Sequence, residues 1–126
     1  MSVFASSPAK VILFGEHGVN RRQPAIAAAV GLRLFCHVSL RRDGLYRLKL
    51  KELEQLYSNE ELRSFRKEVN LLRASEAYEL IMEKSHDFFA PARYVLSHIL
   101  DRVQPQGLDI EWRSQIPIGS GLGSGA

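Results

Sequence analysis

Residues 32–50 read LRLFCHVSLRRDGLYRLKL. Leucine, cysteine and valine occupy every second position from 32 to 40, which is the period of a half-buried strand. The pair Asp43 and Gly44 is typical of a β-hairpin turn, and residues 45–50 alternate again. We therefore predict two antiparallel strands that pair across this turn and begin an antiparallel sheet.

The flanking segments predict an α+β domain, an antiparallel sheet with packed helices. Residues 4–14 predict a strand centred on 10–14, which Ser6–Pro8 starts and Gly15 stops, and residues 108–112 predict another. Apolar residues three and four apart predict one helix through 62–81 and a second that Ser85 or Asp87 caps, with Pro91 in its first turns. We expect both apolar stripes to face the core: Leu62, Phe65, Val69, Leu72, Ala77, Leu80 and Ile81, then Phe89, Ala92, Val95, Leu96, Ile99, Leu100 and Val103.

Composition excludes several classes of protein. One cysteine cannot form an internal disulfide, and no apolar run approaches the roughly 20 residues of a membrane-spanning helix. The N-terminus lacks a signal-peptide layout, so we expect a cytoplasmic protein without a membrane partner. Residues 1–50 have a net charge of +6 and residues 51–126 of −3. Because the arginines are scattered, a solvated surface explains them first, an anionic small ligand second and nucleic acid last.

The end of the sequence, 119–126, reads GSGLGSGA. Alternate glycines let a backbone approach a ligand closely, and their amides suit phosphate. Ser120 and Ser124 add hydroxyl groups that can bind phosphate oxygens or a metal ion. The run is neither a Walker A loop nor a dinucleotide-binding loop, since the required lysine and third glycine are missing. Composition alone leaves a phosphate loop and a flexible tail equally open.

Two motifs together resemble those of the GHMP kinases, particularly the mevalonate kinase form. Residues 7–19, SPAKVILFGEHGV, resemble the first motif of that family, and 117–124, PIGSGLGS, resemble its ATP phosphate-binding motif. The strand at 108–117 is similar to the one that leads into that motif. The resemblance implies that residues 1–126 form an incomplete GHMP kinase N-terminal domain, which ends inside the phosphate-binding motif.

What the resemblance implies is phosphoryl transfer from ATP, with Mg²⁺, to a small alcohol. Mevalonate giving 5-phosphomevalonate, in isoprenoid precursor synthesis, is the best match, and phosphomevalonate kinase or sugar kinase activity is the alternative. Lys10, which the strand pattern alone would assign to an exposed edge, matches the catalytic lysine, and Glu16 and His17 match substrate-binding residues. The ATP phosphate-binding residues would be Gly119, Ser120, Gly121, Leu122, Gly123 and Ser124. A homodimer is compatible with the family.

The sequence departs from the family pattern in two ways. Gly125 stands where the family has the serine that binds Mg²⁺, so either Ser124 replaces it as the metal ligand or metal binding is weakened. The chain also ends at Ala126, before the family's acidic metal ligand and catalytic aspartate. We therefore expect little or no catalysis by these 126 residues alone. A non-catalytic nucleotide-binding module is the first rival, and an RNA-binding domain, which rests on fold analogy and charge, is the last.

Overall fold

The computed structural model describes residues 1–103 and 106–122, and these ranges contain five strands and three α-helices. The strands are β1 (Ser2–Phe14), β2 (Ile26–Leu40), β3 (Leu45–Leu50), β4 (Leu53–Ser58) and β5 (Leu108–Ser114). The helices are α1 (Asn59–Ala74), α2 (Tyr78–Lys84) and α3 (Ala90–Ile99). The predicted α+β class is confirmed. Strand β4 was not predicted, and β1 and β2 are longer than the sequence patterns indicated.

The five strands form one sheet in the order β1-β2-β5-β3-β4. All neighbouring pairs are antiparallel except β3 and β5, which run parallel, so the sheet is mixed. The predicted hairpin between β2 and β3 is wrong, because β5 lies between them. Ile110 of β5 pairs with Val38 on one side and with Leu48 on the other.

The connection between β2 and β3 forms an open bend that contacts Gly107, the residue before β5. The Asp43 carboxylate accepts hydrogen bonds from the Leu45 amide (3.2 Å) and from Arg41 Nε (3.0 Å), which fixes an open bend. Gly107 lies within this bend, where its carbonyl accepts a hydrogen bond from the Arg41 amide (2.9 Å). Its φ is +146°, and a Cβ there would be only 2.6 Å from the Leu45 carbonyl oxygen. Only glycine fits this approach without displacing backbone.

The predicted single helix through 62–81 is two helices. Helix α1 begins with a capping box, in which the Glu61 amide donates to Ser58 Oγ and the Ser58 amide donates to the Glu61 carboxylate. The helix ends at Ala74, because Glu76 adopts the left-handed conformation (φ 57°) that no helix interior allows. The apolar spacing continues past this break, which is why sequence periodicity did not reveal it.

The hydrophobic core lies between the helices and the β2-β5-β3-β4 part of the sheet. Its buried members are Tyr46, Leu48, Leu50, Tyr57, Leu62, Phe89, Leu96, Leu100 and Ile110. The predicted core stripe of α3 is only partly correct, because Val95, Ile99 and Val103 are more than half exposed. The buried and exposed residues lie on different sides of α3, so only one side packs on the sheet. No helix in the described part of the chain is long and apolar enough to cross a membrane.

Arg93 of α3 fixes the helix against its neighbours. Its guanidinium lies 4.5 Å from the Tyr57 ring centroid and 4.1 Å from that of Phe65, and it forms a 2.6 Å ion pair with Asp87. The Asp87 carboxylate also accepts from the Phe89 amide at 3.0 Å. The predicted cap is therefore wrong in detail: Phe89 is the N-cap residue, and neither Ser85 nor Asp87 holds that position.

Candidate active site

Lys10 lies in β1, with its side chain exposed on the surface. Alternation along a strand places Ser6, Pro8 and Lys10 on one face and Ala9 on the other. Ala9 is only 2% exposed, in agreement with this arrangement. Among residues 1–103 and 106–122, Lys10 has no carboxylate within salt-bridge distance. Its ammonium is therefore available to an anionic ligand.

The described part of the glycine-rich segment is an open loop. Gly119 and Gly121 have φ values of +76° and +72°, and a Cβ at either position would meet nothing within 4 Å. The Ser120 hydroxyl donates to the Pro117 carbonyl at 2.8 Å, which closes a tight turn. Positive φ at alternate residues turns successive amides toward one side, an arrangement suited to an anion.

The loop and the lysine strand meet through the backbone. The Lys10 amide donates a 3.0 Å hydrogen bond to the Leu122 carbonyl. Lys10 and Leu122 are 112 positions apart in the chain, and both were predicted from separate motifs. The fold thus brings the candidate catalytic lysine and the candidate phosphate loop into direct contact. A phosphate bound by loop amides at 119–122 would lie within reach of a flexible lysine side chain.

The predicted substrate-binding residues, Glu16 and His17, lie in the loop that follows β1. Gly15 begins this loop with a φ of +87°, and a Cβ there would be 2.6 Å from the Pro24 carbonyl oxygen. Backbone hydrogen bonds from the amides of Gly18 and Gln23 stabilise the turn. Both side chains are exposed. This loop follows the end of β1 that is nearer to Lys10.

Two predicted site residues, Gly123 and Ser124, lie outside the described residues, and the predicted metal ligand Ser124 is one of them. Within the described ranges no group of three or more His, Cys, Asp or Glu side chains is arranged to hold a metal ion. We assign the Mg²⁺ ion no step.

Three residues beside the site were not predicted from the sequence: Ser6, Arg33 and Gln115. The sequence assigned Arg33 to a solvated surface. In the structure its guanidinium donates to Ser6 Oγ at 2.8 Å and its amide donates to Gln115 Oε1 at 3.0 Å. These contacts join residues 27 and 82 positions apart, which no local pattern could indicate.

Comparisons with known proteins relate the chain to mevalonate kinases. The mevalonate kinase of Pyrococcus furiosus is 35% identical over 133 residues, which cover 100% of this chain and 36% of that protein. The chain is similar throughout to the N-terminal part of mevalonate kinases. The enzyme from Thermococcus sibiricus is 33% identical over 127 residues, again 100% of this chain and 35% of the relative. This chain therefore spans about a third of the length of the mevalonate kinases it matches.

The fold comparison gives the same result. The crystal structure of the Methanococcus jannaschii mevalonate kinase matches with a TM-score of 0.73, at 23% identity, over 99% of this chain and 36% of that one. At this identity the match establishes the fold. No protein-family model matches the chain. The resemblance inferred from the two motifs is confirmed.

Proposed function

We propose that this chain supplies the ATP phosphate loop and the reactive lysine of a cytoplasmic GHMP-type kinase that phosphorylates mevalonate to 5-phosphomevalonate. The observation that supports the proposal is the 3.0 Å hydrogen bond between the Lys10 amide and the Leu122 carbonyl. It joins the two motifs that phosphoryl transfer requires, a cation and an amide-rich loop. Similarity to mevalonate kinases over the whole chain supports the choice of acceptor.

The chemistry expected of these residues is charge stabilisation. In phosphoryl transfer the acceptor oxygen bonds to the γ-phosphorus as the bond to the bridging oxygen breaks, and negative charge spreads over the phosphoryl oxygens. The loop amides from Gly119 to Leu122 would hold the phosphates. The Lys10 ammonium would offset the developing charge and lower the pKa of the attacking hydroxyl. Glu16 and His17 would orient the acceptor beside it.

Titration of the ¹⁵N-labelled chain with ATP tests the proposal residue by residue. We expect amide shifts at Gly119, Gly121 and Lys10. Lys10→Met keeps the length of the side chain and removes its charge, and we expect it to weaken ATP binding by about tenfold, the effect of one charge-assisted hydrogen bond. Lys67→Met, an exposed position on α1, is the matched control and should leave the affinity unchanged. Equal affinities for the two variants, or shifts confined to other surfaces, would contradict the proposal.

A coupled assay for mevalonate-dependent ADP release addresses turnover. We expect binding with little or no turnover from these 126 residues. Among the described residues no group of three or more His, Cys, Asp or Glu side chains is arranged to hold a metal ion. Substantial ADP release that depends on mevalonate would contradict this expectation while supporting the proposed acceptor.

A further inference from the structure

Three polar residues connect β1 and β2 with the segment that follows β5, and we refer to Ser6, Arg33 and Gln115 as the Arg33 cluster. The Arg33 amide donates to Gln115 Oε1 at 3.0 Å, and the Gln115 amide donates back to the Arg33 carbonyl at 2.9 Å. The Arg33 guanidinium donates to Ser6 Oγ from Nη2 (2.8 Å) and from Nε (3.1 Å), and to the Ser6 carbonyl (3.3 Å). One residue thus holds both neighbouring strands.

The cluster lies where the regular ladders stop. The β2–β5 ladder ends at the pair Leu34 and Ser114. Gln115 extends it by one residue, through one backbone hydrogen bond and one hydrogen bond to its side chain. The β1–β2 register shifts between Pro8 and Ala9, and such a bulge locally disrupts pairing. The guanidinium of Arg33, which lies opposite Pro8, fastens β1 just before that shift.

The position of the cluster relates it to both motifs. Ser6 precedes Lys10 by four residues on β1, and Gln115 precedes Gly119 by four residues after β5. The two segments then meet at the hydrogen bond between the Lys10 amide and the Leu122 carbonyl. Because Arg33 binds Ser6 on one segment and Gln115 on the other, it restricts the path of both segments toward this hydrogen bond.

We propose that the Arg33 cluster is a positioning device that sets the separation between the Lys10 strand and the phosphate loop. Its members are joined to one another by hydrogen bonds, and we infer that they act through the geometry of Lys10 and the loop. The inference rests on the proposed function, because the segments that the cluster positions are those proposed to bind the phosphates of a nucleotide. It adds three residues that the motifs do not contain.

Amide hydrogen exchange at Lys10, measured by NMR, reports this geometry directly. Gln115→Ala and Ser6→Ala each remove one connection and should speed Lys10 exchange about tenfold, with a similar loss of ATP affinity. Gln115→Glu keeps the acceptor for the Arg33 amide and should retain both properties. Arg113→Ala, an arginine on β5 whose side chain is 82% exposed, is the control and should change neither.

The exchange of the Leu48 amide, in the core of the sheet, separates positioning from global stability. The proposal is overturned if Lys10 exchange is unaffected by Gln115→Ala and Ser6→Ala, or if Leu48 exchange rises equally. Should the unmodified chain bind no ATP while Lys10 exchange responds as expected, the positioning is supported and the proposed function fails. ATP binding with an unresponsive Lys10 amide supports the proposed function and refutes the positioning.

Discussion

Replacing Gly107 by alanine tests the placement of β5 between β2 and β3. A Cβ at this position would lie 2.6 Å from the Leu45 carbonyl oxygen and 3.0 Å from the Leu45 nitrogen, both backbone atoms that cannot swing aside. The φ of +146° adds conformational strain of about 1–3 kcal/mol. Relief of the close contact by backbone shifts costs about 1–3 kcal/mol more. We expect Gly107→Ala to lower the free energy of unfolding by about 3 kcal/mol.

Alanine substitutions at two other glycines separate the cost of the positive φ from the cost of the close contact. Gly44 in the same bend has a φ of +75° but its nearest neighbour would be 3.8 Å away, so Gly44→Ala should cost only about 1 kcal/mol of conformational strain. Gly31 in β2 has neither a positive φ nor a neighbour within 4 Å, and Gly31→Ala should be neutral or slightly stabilising.

Urea unfolding followed by circular dichroism measures all three variants. With a slope of about 2 kcal/mol per molar, the midpoint should fall by about 1.5 M for Gly107→Ala and about 0.5 M for Gly44→Ala. The ordering of the variants matters more than the absolute values. If Gly107→Ala is no more destabilised than Gly44→Ala, the chain does not approach Leu45 as described, and β5 is not inserted there.

Three further predictions concern stability elsewhere. Arg93→Ala removes a guanidinium that packs on two aromatic rings and forms a partly buried ion pair. We expect it to lower the free energy of unfolding, measured by urea unfolding, by about 2 kcal/mol. A loss below about 0.5 kcal/mol would refute that packing. Glu76→Gly relieves a left-handed φ of 57° and should raise the thermal midpoint, whereas an unchanged or lower midpoint would contradict the strain. The hydrogen bond from Arg66 lowers the pKa of Asp101. Its stabilising contribution is therefore complete above the ordinary carboxyl range and is lost as the pH falls through the lowered pKa. Asp101→Asn should flatten this part of the stability profile in thermal melts at decreasing pH, and an unchanged profile would argue against the ion pair.

Features of the fold that depend on residues close together in the sequence could be predicted, and features that depend on distant residues could not. Alternation over 45–50 and the apolar spacing of α1 are local, and both predictions hold. The break at Glu76 has no breaker residue such as proline or glycine, so periodicity alone continues through it. The pairing of β2 with β5 depends on residues 68 to 80 positions apart. An Asp-Gly bend is equally compatible with a tight hairpin and with a wider connection.

The residues of the candidate site also differ in whether a local sequence pattern predicts them. Lys10 and the glycines at 119 and 121 belong to contiguous motifs, so the sequence alone predicts them as site residues, and the fold brings their segments together. Arg33 belongs to no motif. Its partners are set by the sheet register, which becomes known only when β1, β2 and β5 are neighbours. Residues that position a site are for this reason harder to predict than residues that touch its ligand.

The position of β5 between β2 and β3 explains both why the predicted hairpin is wrong and how the glycine loop reaches Lys10. In the observed order, β5 is two strand positions from β1, a distance of about 10 Å at the usual strand spacing, which the segment after Ser114 spans to reach Lys10. Had β2 and β3 paired directly, β5 could join only at an outer edge of the sheet. Beside β4 it would be four positions from β1, about 19 Å, and the glycine loop would begin far from the lysine. The position of β5 beside β2 therefore keeps the start of the glycine loop within two strand positions of the Lys10 strand. Gly107→Ala should consequently speed exchange of the Lys10 amide as well as lower stability, whereas Gly44→Ala should affect it far less.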